Sequence, residues 1–242
     1  MLSISHKKFV KSLKQKKFRD QHNSFVVEGV KMVEELLTTD YKVTHIFATS
    51  KWLADHPDIA AVEISKKDLD IISNLKTPNE VVAVVNKKDH PLNDLSAQFT
   101  IALDYIQDPG NLGTIIRTAD WFGVKNIVCS TDSVDVYNPK VMQATMGSLF
   151  RVNVIYTSLE EFFIKNPGLK VYGTLLKGEN LYHTKINTPG SVLLMGNESK
   201  GIANQLLPFI TDKITIPKFG KAESLNVAIA TAIFCSESKR NC

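Results

Sequence analysis

In Thr100-Ile101-Ala102-Leu103-Asp104-Tyr105-Ile106-Gln107-Asp108-Pro109-Gly110-Asn111-Leu112-Gly113-Thr114-Ile115-Ile116-Arg117-Thr118-Ala119-Asp120-Trp121-Phe122-Gly123, an apolar run, a turn and an amphipathic run follow one another. Ile101 to Tyr105 reads as a buried strand, because five residues without polar alternation suit a strand covered on both faces. Pro109-Gly110 supplies the turn, and Asn111 is placed to cap a helix whose apolar stripe is Leu112, Ile115, Ile116, Ala119 and Phe122. Arg117 falls off that stripe, free to point into a cleft. Strand, turn and helix in this order define a parallel α/β unit.

Working outward, the pattern repeats. Strands are predicted at Asn126 to Cys129, Asn153 to Tyr156, Lys170 to Leu175, Val192 to Met195 and Lys213 to Ile216, with helices between several of them. Asn138-Pro139 reads as a cap followed by proline in the first helical turn. The last helix, about Ser224 to Ser236, is unusually apolar. Upstream lies a smaller α/β run: strands at Phe25 to Val27, Val43 to Ala48, Ala61 to Ile64 and Val81 to Val85, and helices around Val30 to Leu37 and Leu69 to Leu75. Lys87 to Asp94 is polar and aperiodic, and separates the two. The predicted organisation is a basic N-terminal helix over 1–22, a small α/β domain over 23–88 and a larger α/β domain over 95–242. Alternating strands and helices predict parallel sheets, with ligands outside the carboxyl ends of the strands.

The chain has 242 residues, 43% hydrophobic and 22% charged, an ordinary globular composition. No apolar stretch approaches the ~18–20 residues that span a bilayer. Met1 to Ile4 is followed by Lys7 and Lys8 rather than by an apolar segment, unlike a signal peptide, so a cytoplasmic protein is expected. Cys129, Cys235 and Cys242 are odd in number and form no CxxC, which predicts free thiols without disulfide or zinc. Charge is uneven. Lys7, Lys8, Lys11, Lys14, Lys16, Lys17 and Arg19 stand against Asp20 alone in the first twenty residues, a local excess of +6 in a chain whose net charge is +4. This pattern suits a solvated surface helix and a polyanion-binding one equally.

Common nucleotide motifs are missing. There is no GxGxxG, and Gly196-Asn197-Glu198-Ser199-Lys200-Gly201 is followed by Ile202 where a phosphate-binding loop needs lysine. No GxSxG or HExxH occurs. Three loops stand out instead, each after a predicted strand: Asp104 to Gly123; Met195 to Ile202; and Ile216-Pro217 through Ser224-Leu225-Asn226-Val227. Taken singly, each also reads as ordinary helix capping and surface charge.

Taken together and in order, the three loops resemble the three motifs of the SpoU–TrmH family of RNA ribose 2′-O-methyltransferases, within the SPOUT superfamily. Asp108-Pro109-Gly110-Asn111-Leu112-Gly113 with Arg117 and Phe122-Gly123 resembles the first. Met195-Gly196-Asn197-Glu198 with Gly201 resembles the second, and Ile216-Pro217 with Ser224-Leu225-Asn226-Val227 the third. Ser199 departs from the pattern, which usually has glycine after the glutamate. The resemblance implies a C-terminal parallel sheet with a trefoil knot, preceded by a ribosomal-protein-like substrate-binding domain, in a homodimer.

It further implies S-adenosylmethionine as cofactor, held by backbone groups at Thr174, Leu175, Gly196 and Ile216 and by Leu225 and Asn226. The implied catalytic residues are Asn111, Arg117, Glu198, Ser224 and Asn226. A guanidinium stays protonated and offers no acceptor, so Arg117 is expected to anchor a phosphate and favour charge on the ribose oxygen rather than act as a base. Asn111 and Asn226 would supply amide contacts, Ser224 a hydrogen bond near the 2′-oxygen, and Glu198 would orient Arg117 or Asn111. No metal is required. The implied partner is RNA, ribosomal ahead of transfer RNA, with Lys7, Lys8, Lys11, Lys14, Lys16, Lys17 and Arg19 contacting it; neither DNA nor a membrane is expected. The alternatives are a transfer RNA ribose methyltransferase and a non-catalytic RNA-binding or ribosome assembly factor of the same fold.

Overall fold

The computed structural model describes residues 2–90, 95–186 and 188–240; 91–94 of the polar boundary and Cys242 lie outside them. The chain forms two compact units, Met1–Asp89 with Tyr137–Phe150, and His90–Val136 with Arg151–Cys242.

The first unit runs α1 (Ile4–Ser12), α2 (Lys16–His22), β1 (Ser24–Glu28), α3 (Val30–Leu37), β2 (Val43–Ala48), α4 (Ser50–Asp55), β3 (Val62–Glu63), α5 (Lys66–Ile72) and β4 (Val81–Asn86). Its four-stranded sheet has the order β1-β4-β2-β3. The apolar strand β4 is antiparallel to both β1 and β2, and only β2 and β3 are parallel. The wholly parallel sheet expected from alternation is therefore corrected here to a mixed one: an apolar run reports burial on both faces but not strand direction.

The expected single N-terminal helix is two. Arg19 is 2% exposed, and its guanidinium donates from Nη1 to the carbonyls of Leu13 (2.9 Å) and Lys14 (2.8 Å). It thereby satisfies acceptors that the end of α1 leaves open, and fixes the corner before α2. Lys7 pairs with Asp68 of α5 at 2.6 Å. With the Leu2 N–H also donating to that carboxyl, Asp68 is drawn down to about 2. Arg19 and Lys7 are thus engaged within the unit, a correction to the set of RNA-facing cations. Lys8, Lys11, Lys14, Lys16 and Lys17 are exposed.

The second unit contains β5 (Phe99–Leu103), α6 (Pro109–Trp121) and β6 (Asn126–Cys129). The chain then passes through α7 (Pro139–Thr145), which belongs to the first unit, and returns for β7 (Asn153–Tyr156), α8 (Leu159–Lys165), β8 (Lys170–Asn180), β9 (Ser191–Met195), β10 (Asp212–Thr215) and α9 (Val227–Lys239). Within 95–242, residues 137–150 thus group with the first unit. The Tyr137 ring lies tilted against Phe25 at 4.4 Å and Phe150 lies edge-on to Tyr41 at 5.4 Å, which draws 137–150 onto the first unit.

The second sheet is six-stranded and parallel throughout, in the order β10-β8-β9-β5-β6-β7. Ile101, Ile115, Ile116, Ile127, Val128, Leu193 and Leu194 are fully buried around its centre. Successive strands β5, β6 and β7 build outward in one direction, while β9 lies on the other side of β5. The strand order reverses between β5 and β9, and a cleft forms outside the carboxyl ends of strands at such a point. Cys129 and Cys235 are buried free thiols. Burial raises both, Cys235 to about 12, so neither is a thiolate near neutrality. No helix among the described residues is long and apolar enough to cross a membrane.

The Arg19 corner gives the first prediction. Arg19→Ala should destabilise the first unit by roughly 2–4 kcal/mol, since it removes a buried charged donor and leaves two carbonyls unmatched. Urea unfolding followed through the fluorescence of Trp52, 1% exposed in this unit, measures it. A midpoint unchanged from wild type would contradict the role assigned to the corner.

Candidate active site

Helix α6 begins about one turn earlier than the sequence suggests. Asp108 is its N-cap, accepting the Asn111 N–H at 2.8 Å, and Pro109 occupies the first helical position. Asn111 is therefore not the cap, and its amide is released for the site. Asn111 Nδ2 donates to Glu198 Oε1 at 2.5 Å, and Asn111 Oδ1 accepts from Asn226 Nδ2 at 2.9 Å. Asn226 in turn caps α9, its Oδ1 accepting the N–H groups of Ala228 (3.0 Å) and Ile229 (3.3 Å). One relay of side chains joins all three loops. Of the two partners expected for Glu198, the structure selects Asn111.

Arg117 is exposed on α6 and makes no hydrogen bond or ion pair among the described residues. Helix α9 begins at Val227, so Ser224 lies in the exposed stretch before it and not in the helix as expected. The structure thus brings Asn111, Glu198 and Asn226 into contact and leaves Arg117 and Ser224 open to a ligand.

The second loop is a tight turn. Asn197 and Gly201 exchange backbone hydrogen bonds at 3.0 and 2.9 Å. A Cβ on Gly196 would meet the Gly201–Ile202 backbone at 2.3–2.5 Å, so only glycine fits there. Gly220, by contrast, is in open space. Asn197, beside Glu198 in the second motif, organises the turn. Its Oδ1 accepts from the N–H groups of Ser199 (2.9 Å) and Lys200 (3.1 Å), and its Nδ2 donates to the Tyr105 carbonyl at 2.9 Å. Asp104, 7% exposed, adds a second clasp by accepting the Ala203 N–H at 2.7 Å, and burial raises its carboxyl above the usual range. Polar residues immediately after β5 and β9 were the available signal for both.

Thr174 and Leu175 fall where β8 is irregular. In the pairing of β8 with β10, Gly173 faces Lys213 but the next partners are Glu179 and Ile214, and pairing of β8 with β9 ends at Gly173. Residues 174–178 therefore bulge from the sheet, with no partner in either pairing. The bulge closes at Gly178, where a Cβ would lie 2.6 Å from the Lys213 carbonyl. Thr174 Oγ1 anchors its start by donating to the Leu194 carbonyl at 3.0 Å. A bulged strand end beside the glycine-only approach at Gly196 fits a ligand read by backbone, such as S-adenosylmethionine. Strand β8 runs on to Asn180, beyond the predicted end at Leu175, and Gly173 inside the predicted strand was the sequence sign of an irregularity.

Comparison with known proteins agrees with this geometry. Residues 98–236 match the model of the SpoU rRNA Methylase family, and residues 6–83 that of the MRM3-like substrate binding domain. The chain belongs to the SpoU rRNA methylase family. It is 33% identical over 228 residues to the 23S rRNA (guanosine(2553)-2′-O)-methyltransferase RlmP of Bacillus subtilis, covering 92% of this chain and 91% of that protein. Among solved structures, a Porphyromonas gingivalis protein assigned to the TrmH family of RNA methyltransferases superposes with a TM-score of 0.91 at 39% identity over 100% of both chains. An S-adenosylmethionine-bound rRNA methyltransferase from Sinorhizobium meliloti does so at 0.90 and 31% identity, over 99% of this chain and 97% of that one. These relatives share the SpoU fold of the second unit and the small α/β domain before it.

Asn226 carries two duties that substitution separates. Asn226→Ala should lose the cap, about 1 kcal/mol and a lower Tm, together with the bond to Asn111. Asn226→Asp keeps an acceptor for α9 but cannot donate to Asn111. We expect it to hold Tm near wild type while methyl transfer falls at least tenfold; equal turnover in Asn226→Asp and wild type would contradict the relay.

Proposed function

We propose that this chain methylates ribosomal RNA, with Asn111, Arg117, Glu198, Ser224 and Asn226 around the reacting ribose and the strand-end backbone at Thr174, Leu175, Gly196, Ile216, Leu225 and Asn226 around the cofactor. The observation that carries this reading is the Glu198–Asn111–Asn226 relay, set at the reversal point of a parallel sheet with an unpaired arginine on the same helix as Asn111. A scaffold protein has no need of that constellation.

The chemistry is S-adenosylmethionine-dependent transfer of a methyl group to a ribose 2′-hydroxyl of RNA. When bound, the cofactor supplies a methyl group already activated for attack, so the protein's task is to place the hydroxyl and favour its developing negative charge. Arg117, a fixed cation without an acceptor, holds the phosphate beside the target ribose and stabilises the oxygen. The Ser224 hydroxyl is free to hydrogen-bond near that oxygen. Asn111 has one amide hydrogen engaged by Glu198 and its oxygen engaged by Asn226, which holds the side chain in one orientation and aims its second N–H at the ligand. The proton leaves the 2′-oxygen to water.

The exposed lysines of α1 and α2, Lys8, Lys11, Lys14, Lys16 and Lys17, supply the phosphate contacts of the first unit. Ribosomal RNA is favoured by full-length likeness to ribosomal RNA methyltransferases. The final segment passes from edge strand β10 back to Asn111 beside the central β5, which supports the trefoil threading of the family. Exposed Trp121 and Ile229, on the mutually packed helices α6 and α9, support a homodimer; in this reading the enzyme is cytoplasmic and acts on RNA rather than on DNA or at a membrane.

Labelled methyl transfer from S-adenosylmethionine to unmodified ribosomal and transfer RNA transcripts, followed by alkaline hydrolysis, tests this reading. A 2′-O-methyl group blocks cleavage at the next phosphate, so label is expected in alkali-resistant dinucleotides from ribosomal RNA. Arg117→Ala should lower the rate by about 10²-fold or more. Label confined to mononucleotides, or to transfer RNA, would overturn the assignment.

A further inference from the structure

Tyr105 is an outlier with a use. It follows β5 with φ +57°, a left-handed conformation that an aromatic side chain adopts only under constraint. Two backbone hydrogen bonds hold it there, and a cation sits over the ring. The Tyr105 N–H donates to Ser130 Oγ at 2.8 Å, its carbonyl accepts from Asn197 Nδ2 at 2.9 Å, and the Lys200 ammonium lies 4.4 Å from its ring centroid. Glycine or asparagine would occupy this position without strain. Conformational strain kept at a site's edge points to a function for the side chain that causes it.

The surroundings indicate which function. Asn197 Nδ2 reaches both the Tyr105 carbonyl and, at 3.5 Å, Glu198 Oε2, so Tyr105 stands one side chain away from the relay that meets the ribose. Tyr105 is half-buried and Lys200 exposed. Among the described residues no aromatic ring packs on Tyr105 and its hydroxyl has no hydrogen-bond partner. Lys200 is itself held, through its own N–H on Asn197 Oδ1 at 3.1 Å. A ring with an uncommitted hydroxyl, paired with a positioned cation, has the two features that grip single-stranded RNA: a stacking surface for a base and a charge for its phosphate.

We propose that Tyr105 and Lys200 form a nucleotide clamp at the mouth of the site, in which the Tyr105 ring stacks an unpaired base next to the target ribose and the Lys200 ammonium takes the adjoining phosphate. The clamp rests on the placement of the ribose at the Glu198–Asn111–Asn226 relay. It reads RNA by requiring the base to be unstacked from its own helix, and selects loops or bulges over regular duplex. Tyr105 and Lys200 are substrate-positioning residues in this scheme; no bond forms or breaks at either.

The test uses the full chain with S-adenosylhomocysteine and an unmodified 23S ribosomal RNA transcript. Tyr105→Gly accepts the positive φ freely, so the turn is kept and only the ring is lost. RNA affinity should fall roughly tenfold or more, by the usual value of one base stacked on an aromatic ring, with S-adenosylmethionine affinity unchanged and Tm no lower. Tyr105→Phe should stay close to wild type. Lys200→Ala should reduce the dependence of log K on log salt by about one phosphate contact. Unchanged RNA affinity in Tyr105→Gly would overturn the clamp, as would an equal loss of cofactor affinity, which would place the ring on the cofactor instead. Failure of the underlying site shows separately: Arg117→Ala would then transfer methyl at the wild-type rate whatever Tyr105→Gly does.

Discussion

The hydrogen bonds of Asn111 to Glu198 on one side and Asn226 on the other hold the second unit's site together. Each of the three residues sits at the end of a different element: Asn111 in the first turn of α6, Glu198 in the turn after β9, Asn226 at the cap of α9. The relay forms only if those ends meet, and they meet because the sheet reverses its order between β5 and β9. The buried core beneath the strands sets the position of each loop, and the relay sets the orientation of each side chain. Asn111 and Asn226, with short side chains, suit that task, since less conformational entropy is lost in holding them than in holding a longer amide.

The same region shows how an active site consumes local stability. Tyr105 is strained, Asp104 is a buried carboxyl with a raised pKa, and Gly196 and Gly178 permit contacts that a Cβ would forbid. The strain at Tyr105 is supported from outside the loop by Ser130 and Asn197. The Asn197 turn also absorbs Ser199, the departure from the family's usual glycine, because the Ser199 N–H is already committed to Asn197 Oδ1.

Much of the fold was legible in sequence, for a definite reason. Strands buried on both faces are continuous apolar runs, and Asn126–Cys129 and Asn153–Tyr156 have the limits that their hydrophobicity marks. What was not legible depends on contacts distant in sequence. Nothing in Lys14 to Arg19 breaks a helix, yet the guanidinium of Arg19 turning back on Leu13 and Lys14 divides one helix into two. Strand direction in the first sheet and the attachment of 137–150 to that unit, through Tyr137 on Phe25, are likewise set by packing. The three loops were recognisable as motifs, but the roles inside them were not. Asp108 rather than Asn111 caps α6, and Asn197 organises a turn in which only its neighbour Glu198 drew attention.

If the three loops work as one unit, damage at two points of the relay must not accumulate. The direct measurement is a double-mutant cycle on kcat/KM for RNA methylation with Asn111→Ala, Glu198→Ala and the double variant. Each single change should cost most of the activity and the double variant little more than the worse single, leaving a coupling of about 1–3 kcal/mol. Losses that multiply, with a coupling near zero, would show that Asn111 and Glu198 act independently and would contradict the relay as the basis of the site.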